Sequence, residues 1–552
     1  MSSPKDVQCS YFYAEDIGVY ASVEAQMLKP HIVKYAHGPT PALRLCTGNL
    51  CALHPLRACV LGRLRRMTHE LIKAYDLPKH LVMCQCGKQW SPATVADLNR
   101  FHTDMYVSFL QQLTSNGASV IDEVLNHVLN ASVCFTETAW LYSALYAGGS
   151  LAAAQALVAG DDIAINLMGG QTHARRDCAS GFSYVNDVVL AILHLLRAVP
   201  GSLEDPSSGG DQRRVMFVNL DGWHCSGVEE AFYTTDRVLC LSLHRYAEGV
   251  YPGSGGRNDC GQDAGKHHNI NLPVSDGLDD AGLELLLMPV LKAAAERYCP
   301  HCIVCCAGAG VISGDRLGCM NISIAGHASV MKAIAELGVP LLVLGGGGFS
   351  QLNSAKAWVS ATAALCGVEL PEELPGELPS LECYPPSELS LSVPPATMED
   401  MNTDGSLTLV RDGALKAIEQ MPQRTKPLAR AKRSAAPPEA PAAEAASEGA
   451  APTSATGATE GANGGDAAGG AVAGSGEGAS PGGVPAAPAE APTDAAVKVD
   501  AEMGEGAAAD GEAPMELDAP AATGEGVAAD ALDSKGIEER MQAEEPGLGD
   551  DD

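Results

Sequence analysis

The chain has 552 residues and a formal net charge of −32, long enough for several domains, but its composition divides it unequally. All 18 cysteines and all four tryptophans lie before residue 384, whereas from Ser434 onward Ala, Gly, Pro and Glu dominate, with no aromatic residue. That stretch carries 25 Asp/Glu against three Lys/Arg and supplies 22 of the 32 net negative charges. It has almost nothing to bury, so it is expected to be disordered. Its excess charge repels phosphate, so direct DNA binding is not expected. No run of about 20 apolar residues suggests a membrane span, and Met1-Ser2-Ser3-Pro4-Lys5 lacks a signal-peptide core. Scattered cysteines without such a signal point to free thiols in a reducing compartment.

In chain order, Asp162-Ile163-Ala164-Ile165-Asn166, Val215-Met216-Phe217-Val218, Val238-Leu239-Cys240-Leu241-Ser242, Ile303-Val304-Cys305-Cys306 and Pro340-Leu341-Leu342-Val343-Leu344 are short apolar runs. Each fits a buried parallel strand. Amphipathic stretches at Asp187 to Val199 and Asp280 to Arg297 fit helices between them. The alternation predicts a single α/β domain with a mostly parallel central sheet covered by helices on both faces. Functional groups in such folds gather on loops beyond the carboxyl ends of the strands. Leu203 to Arg214 reads as a polar surface loop. Cys299, Cys302, Cys305 and Cys306 read as buried thiols, since a zinc site needs four ligands in place; Cys84 and Cys86 read the same way. Residues 371–433 form a Pro- and Glu-containing transition ending in the basic run Lys426-Pro427-Leu428-Ala429-Arg430-Ala431-Lys432-Arg433. That run reads equally as a nuclear address and as a solvated linker. Residues 434–552 are the acidic tail.

Several blocks carry more specific information. Gly169-Gly170-Gln171-Thr172-His173-Ala174 precedes Ala179-Ser180-Gly181-Phe182-Ser183-Tyr184-Val185-Asn186-Asp187. The strand Val218-Asn219-Leu220-Asp221-Gly222-Trp223-His224-Cys225-Ser226-Gly227 runs into Val228-Glu229-Glu230-Ala231-Phe232-Tyr233. Ser313-Gly314-Asp315-Arg316-Leu317-Gly318, Leu344-Gly345-Gly346-Gly347-Gly348-Phe349 and Arg66-Met67-Thr68-His69 complete the set. Together they closely resemble class I histone deacetylases, and the similarity covers roughly residues 8–370.

The resemblance implies an arginase/deacetylase-like fold and, as ancestry, hydrolysis of acetyl-lysine by a zinc-activated water. Such a site needs three protein ligands and open positions for water and substrate. The family places an Asp-x-His pair at one strand end, where residues i and i+2 point the same way, and adds an Asp from a later strand. Those positions here are Asp221, Trp223 and Gly310. An indole offers zinc no lone pair and glycine has no side chain, so zinc is not expected. The family's paired histidines fall at Thr172 and His173, and the carboxylates that orient them fall at Asn219 and Ser226. The tyrosine that stabilises the oxyanion falls at Phe349.

The expectation is therefore a catalytically inactive homologue, not an enzyme, serving as a structural or regulatory subunit of a chromatin deacetylase or corepressor complex. Two alternatives stand beside it: an active deacetylase with a non-standard metal site, using Asp221, His224 and Cys225, and a module that binds acylated lysine without cleaving it. Gly181, Phe182, Tyr251 and Leu317 fall where the family lines its acyl-lysine tunnel, and its rim aspartate falls at Ala131. In its inositol-phosphate pocket Arg316 is kept, Arg57 stands for a lysine and Leu352 replaces an arginine. A structural potassium or sodium ion, held in the family mainly by backbone carbonyls, could remain near Asn219, Asp221, Trp223, Ser242 and Leu243. The partners implied are a catalytic deacetylase paralogue or corepressor subunits, with histones as a further candidate and no membrane. The placement implied is nuclear, with a cytoplasmic share open.

Overall fold

The computed structural model describes residues 7–14, 60–116, 139–181, 183–197 and 213–425. The elements in chain order are β1 (Cys9–Tyr13), α1 (Val60–Ala74), β2 (Val82–Gln85), α2 (Val95–Leu98), α3 (Asp104–Asn116), α4 (Ala139–Ala159), β3 (Ile163–Asn166) and α5 (Asp187–Arg197). They continue as β4 (Val215–Gly222), α6 (Ser226–Phe232), β5 (Val238–Arg245), β6 (Asn269–Val274), α7 (Asp280–Tyr298), β7 (Cys302–Cys306), α8 (Ile324–Glu336), β8 (Leu341–Leu344), α9 (Gln351–Cys366) and α10 (Asp404–Gln420). The strands form one sheet in the order β2-β1-β3-β8-β7-β4-β5-β6, and every pairing is parallel.

Both faces of the sheet are covered, and β4 shows how. Its eight residues are all buried. Met216, Val218 and Leu220 point into a core shared with α1, α7, α8 and α9. Val215 and Phe217 point into a second core with α3, α4, α5 and α6. Alternation of side chains along a strand therefore divides one apolar run between two cores. The five runs read as strands from sequence all pair in this sheet. Three further strands carry weaker signals: β1 is aromatic, β2 has four residues and is mostly half-buried, and β6 contains Asn269, Asn271 and Pro273.

Helix α4 departs from the expectation that no apolar run is long enough for a membrane. It has 21 residues and a mean hydropathy of 1.2, sufficient by length and composition alone. In the fold 78% of its apolar window is buried, with Tyr142, Tyr146, Ala153 and Leu157 in the second core. A helix that is apolar all round fits a protein interior as well as a bilayer. Residues 371–425 follow the sheet closely. Thr403 caps α10 in a reciprocal box with Ser406, and Leu407, Ala414, Ile418 and Met421 join the first core. Arg297 donates to the carbonyls of Met421 and Glu419, and Arg214 to that of Thr425.

Candidate functional site

The quoted blocks other than Arg66-Met67-Thr68-His69 meet at the carboxyl ends of β4, β7 and β8, which lie side by side in the sheet. Strand β4 loses register with β5 between Asn219 and Gly222, and Gly222 turns the chain at φ +83°, a conformation that suits glycine. Asp221, Trp223 and the start of α6 then project over the strand ends. The carboxylate of Asp221 accepts the Gly347 N–H at 2.7 Å. Burial, reinforced by Asp315 nearby, pushes this carboxyl up to about 7.

Trp223 meets Phe349 edge to face, with ring centroids 5.3 Å apart and planes at 84°. Its ring edge occupies the ground above Gly310, where an added Cβ would overlap the indole Cζ3. The positions that would hold zinc therefore present one carboxylate, one indole and one bare backbone. These residues do not fit a zinc ion, which needs three lone-pair donors from the protein. Among the described residues no three His, Cys, Asp or Glu side chains gather so as to hold a metal. The alternative set is also dispersed. His224 spends both ring nitrogens on Glu229 and Ser254, each at 2.8 Å.

The remaining predicted residues surround this point. Thr172 and His173 are buried, and neither Thr172 Oγ1 nor His173 Nδ1 has a hydrogen-bond partner among the described residues. Burial and the neighbouring His224 depress His173 to about 3, so its ring is neutral. It stands edge-on to Tyr251 at 5.2 Å. Ser226 is the buried first residue of α6, and Asn219 is fully buried. The Tyr251 hydroxyl is 2.8 Å from Ser180 Oγ, and a Cβ on Gly181, at φ +49°, would overlap that hydroxyl. The phenol thus lies directly on the 180–181 turn. Leu317 borders a small void with Trp223 and Gly310. Arg316 is exposed and Leu352 half-buried. Phe182, Arg57 and Ala131 lie outside the described residues. Of the cysteines read as buried thiols, Cys84, Cys299, Cys302, Cys305 and Cys306 are buried, whereas Cys86 is half-buried.

Asp315 has a role that sequence reasoning missed. It accepts N–H groups from Leu317 and Gly318 on one oxygen and from Phe349 and Ser350 on the other. One carboxylate thereby joins the loop after β7 to the loop after β8 and fixes Phe349. The only signal available was its place in the Ser-Gly-Asp-Arg block.

Comparison with known proteins agrees with this architecture. The histone deacetylase domain family matches residues 57–365. Histone deacetylase RPD3 of Saccharomyces cerevisiae is 34% identical over 412 residues, covering 74% of this chain and 83% of the yeast protein. Histone deacetylase 19 of Arabidopsis thaliana is 35% identical, covering 74% and 72%. Human histone deacetylase 1 is 32% identical, covering 75% of each chain. These names correct the expectation that the chain is not an enzyme, because the relatives that match across three quarters of it are named as deacetylases. That expectation rested on a handful of substituted positions. Such positions report which donors are present locally and do not set the class of a chain matched over so much of its length. On fold, motifs and matched length together, this chain belongs to the histone deacetylase family.

Proposed function

We propose that this chain serves as a structural or regulatory subunit of a chromatin deacetylase or corepressor assembly, without zinc at positions 221, 223 and 310. The observation that carries the reading is the Trp223 indole seated above Gly310, which fills the place of two donors with ring carbon. The changes around it preserve shape: Asn219 and Phe349 keep the outlines of aspartate and tyrosine without the charge and the hydroxyl. The glycines at 345–348, which the close approach of loops demands, are retained. What such a chain offers a partner is the surface of a rigid sheet and its loops. A catalytic deacetylase relative or repressor subunits fit that role. The acidic tail offers a complement to basic histone segments, and the basic run at 426–433 supports a nuclear address.

Affinity purification from native cells is expected to recover a deacetylase relative or repressor subunits in near-stoichiometric amounts, and deletion after Arg433 is expected to leave that association intact. Elemental analysis of the same preparation is expected to give well below one zinc per chain. A strictly monomeric protein, or one zinc per chain, overturns the proposal. Turnover of acetyl-lysine peptides, on material freed of host deacetylases, measures the family activity directly.

A further inference from the structure

The side chain of Asn219 sits between two oxygens that would otherwise face each other. Its Nδ2 is 2.8 Å from the Trp223 carbonyl and 2.9 Å from Ser242 Oγ. A carbonyl oxygen can only accept, so the amide must turn its nitrogen toward Trp223. Its Oδ1 is then the atom left without a hydrogen-bond partner among the described residues. The chain of donors continues. Ser242 Oγ is 2.9 Å from His244 Nδ1, and His244 Nε2 is 2.9 Å from the Gly255 carbonyl. Nε2 must carry the proton to reach that carbonyl. With the proton on Nε2, Nδ1 of the neutral tautomer accepts from the Ser242 hydroxyl. Every donor in the series then finds an acceptor, and no charge is required.

We propose that Asn219 is the positioning residue of the Trp223 loop, and that its amide does by hydrogen bonding what a monovalent cation would do by coordination. With an aspartate at 219, carboxylate, Trp223 carbonyl and Ser242 hydroxyl would bring three oxygens together, and an ion or a proton would be needed to hold them. The amide NH₂ removes that need by giving one hydrogen to each of the two facing oxygens. Its geometric consequence reaches the site: the Trp223 carbonyl is fixed four residues along the chain from Asn219, and this sets where the indole lies against Gly310 and Phe349.

The test is thermal unfolding of the full chain in potassium, sodium and choline chloride at equal ionic strength. The wild-type Tm is expected to be the same in all three. Asn219→Asp is expected to be less stable in choline and to regain about 3 °C or more in potassium or sodium chloride, because a ligand bound only by the folded state raises Tm. Asn219→Ala, which supplies neither donor nor charge, is expected to lose stability in all three salts equally. A wild-type Tm that rises specifically with potassium or sodium overturns the proposal. So does an Asn219→Asp protein with no cation dependence. Should that variant fail to fold, the wild-type salt series and the wild-type potassium and sodium content still decide the matter.

Discussion

Trp223 and Gly310 are complementary: the indole edge of one occupies the space in which a side chain of the other would begin. Each is therefore a condition for the other. Gly310→Ala is expected to destabilise the protein by about 1–3 kcal/mol through overpacking. In a Trp223→Ala background the same change should be nearly neutral, a coupling of roughly 0.5–3 kcal/mol between neighbours. Denaturant unfolding of the four proteins measures it, and additive effects would show that the indole lies elsewhere. Trp223→His with Gly310→Asp returns two donors beside Asp221 and is expected to bind more zinc than wild type.

The contact between Tyr251 and Ser180 gives a second prediction. Tyr251→Phe removes the hydroxyl and leaves the ring beside His173. The expected loss is about 0.5–1.5 kcal/mol, the net value of one hydrogen bond. Gly181→Ala is expected to do more damage, because its Cβ meets the phenol and its φ of +49° disfavours any residue with a side chain. Equal losses from the two variants would argue against the phenol resting on that turn.

His102 gives a pH prediction with a definite sign. Its Nε2 accepts the Asn186 N–H at 3.0 Å, so Nδ1 carries the proton toward the Arg176 carbonyl at 3.2 Å. Burial, partly offset by that backbone bond, depresses the ring to about 4. An unfolded histidine takes up its proton near pH 6.5. Between pH 6.5 and 4 the unfolded chain therefore binds more protons than the folded one, and stability is lost as pH falls. His102 alone accounts for about 3 kcal/mol across that window. His327, also depressed to about 4 by burial, acts in the same direction. Urea midpoints at pH 7 and pH 5 should draw closer together in His102→Gln than in wild type; an unchanged difference would remove His102 as a cause.

The segment after α10 is fastened from beneath by two arginines of different burial. Arg214 is buried and donates to the carbonyls of Tyr298, Cys299 and Thr425. Its guanidinium thus stands at the carboxyl end of α7, where positive charge is favoured. Arg297 makes similar bonds to Met421, Glu419 and Gln423 in a partly exposed setting. Arg214→Ala is expected to cost roughly 2–5 kcal/mol, since buried carbonyls lose a charged donor. Arg297→Ala is expected to cost about 1 kcal/mol, because water replaces its bonds. Thermal unfolding that reverses this order would count against the two roles.

The sequence alone determined the central strands, the α/β class and the identity of the residues at the strand ends. Buried parallel strands are continuous apolar runs, and that pattern is legible in the sequence at β3, β4, β5, β7 and β8. It was not legible at β1, β2 and β6, where a short or polar strand is held by its neighbours. The motif blocks likewise told that a donor is present at 221 and missing at 223 and 310, because a lone pair belongs to a residue type. Tertiary structure decided what fills the vacancy and what holds it: the indole over Gly310, Asp315 binding two loops through four backbone N–H groups, and the Asn219 amide between Trp223 and Ser242. It also decided that α4, apolar enough for a bilayer, is a core helix. These outcomes depend on distances between residues far apart in the chain. Local pattern carries burial and chemistry; only packing carries who meets whom.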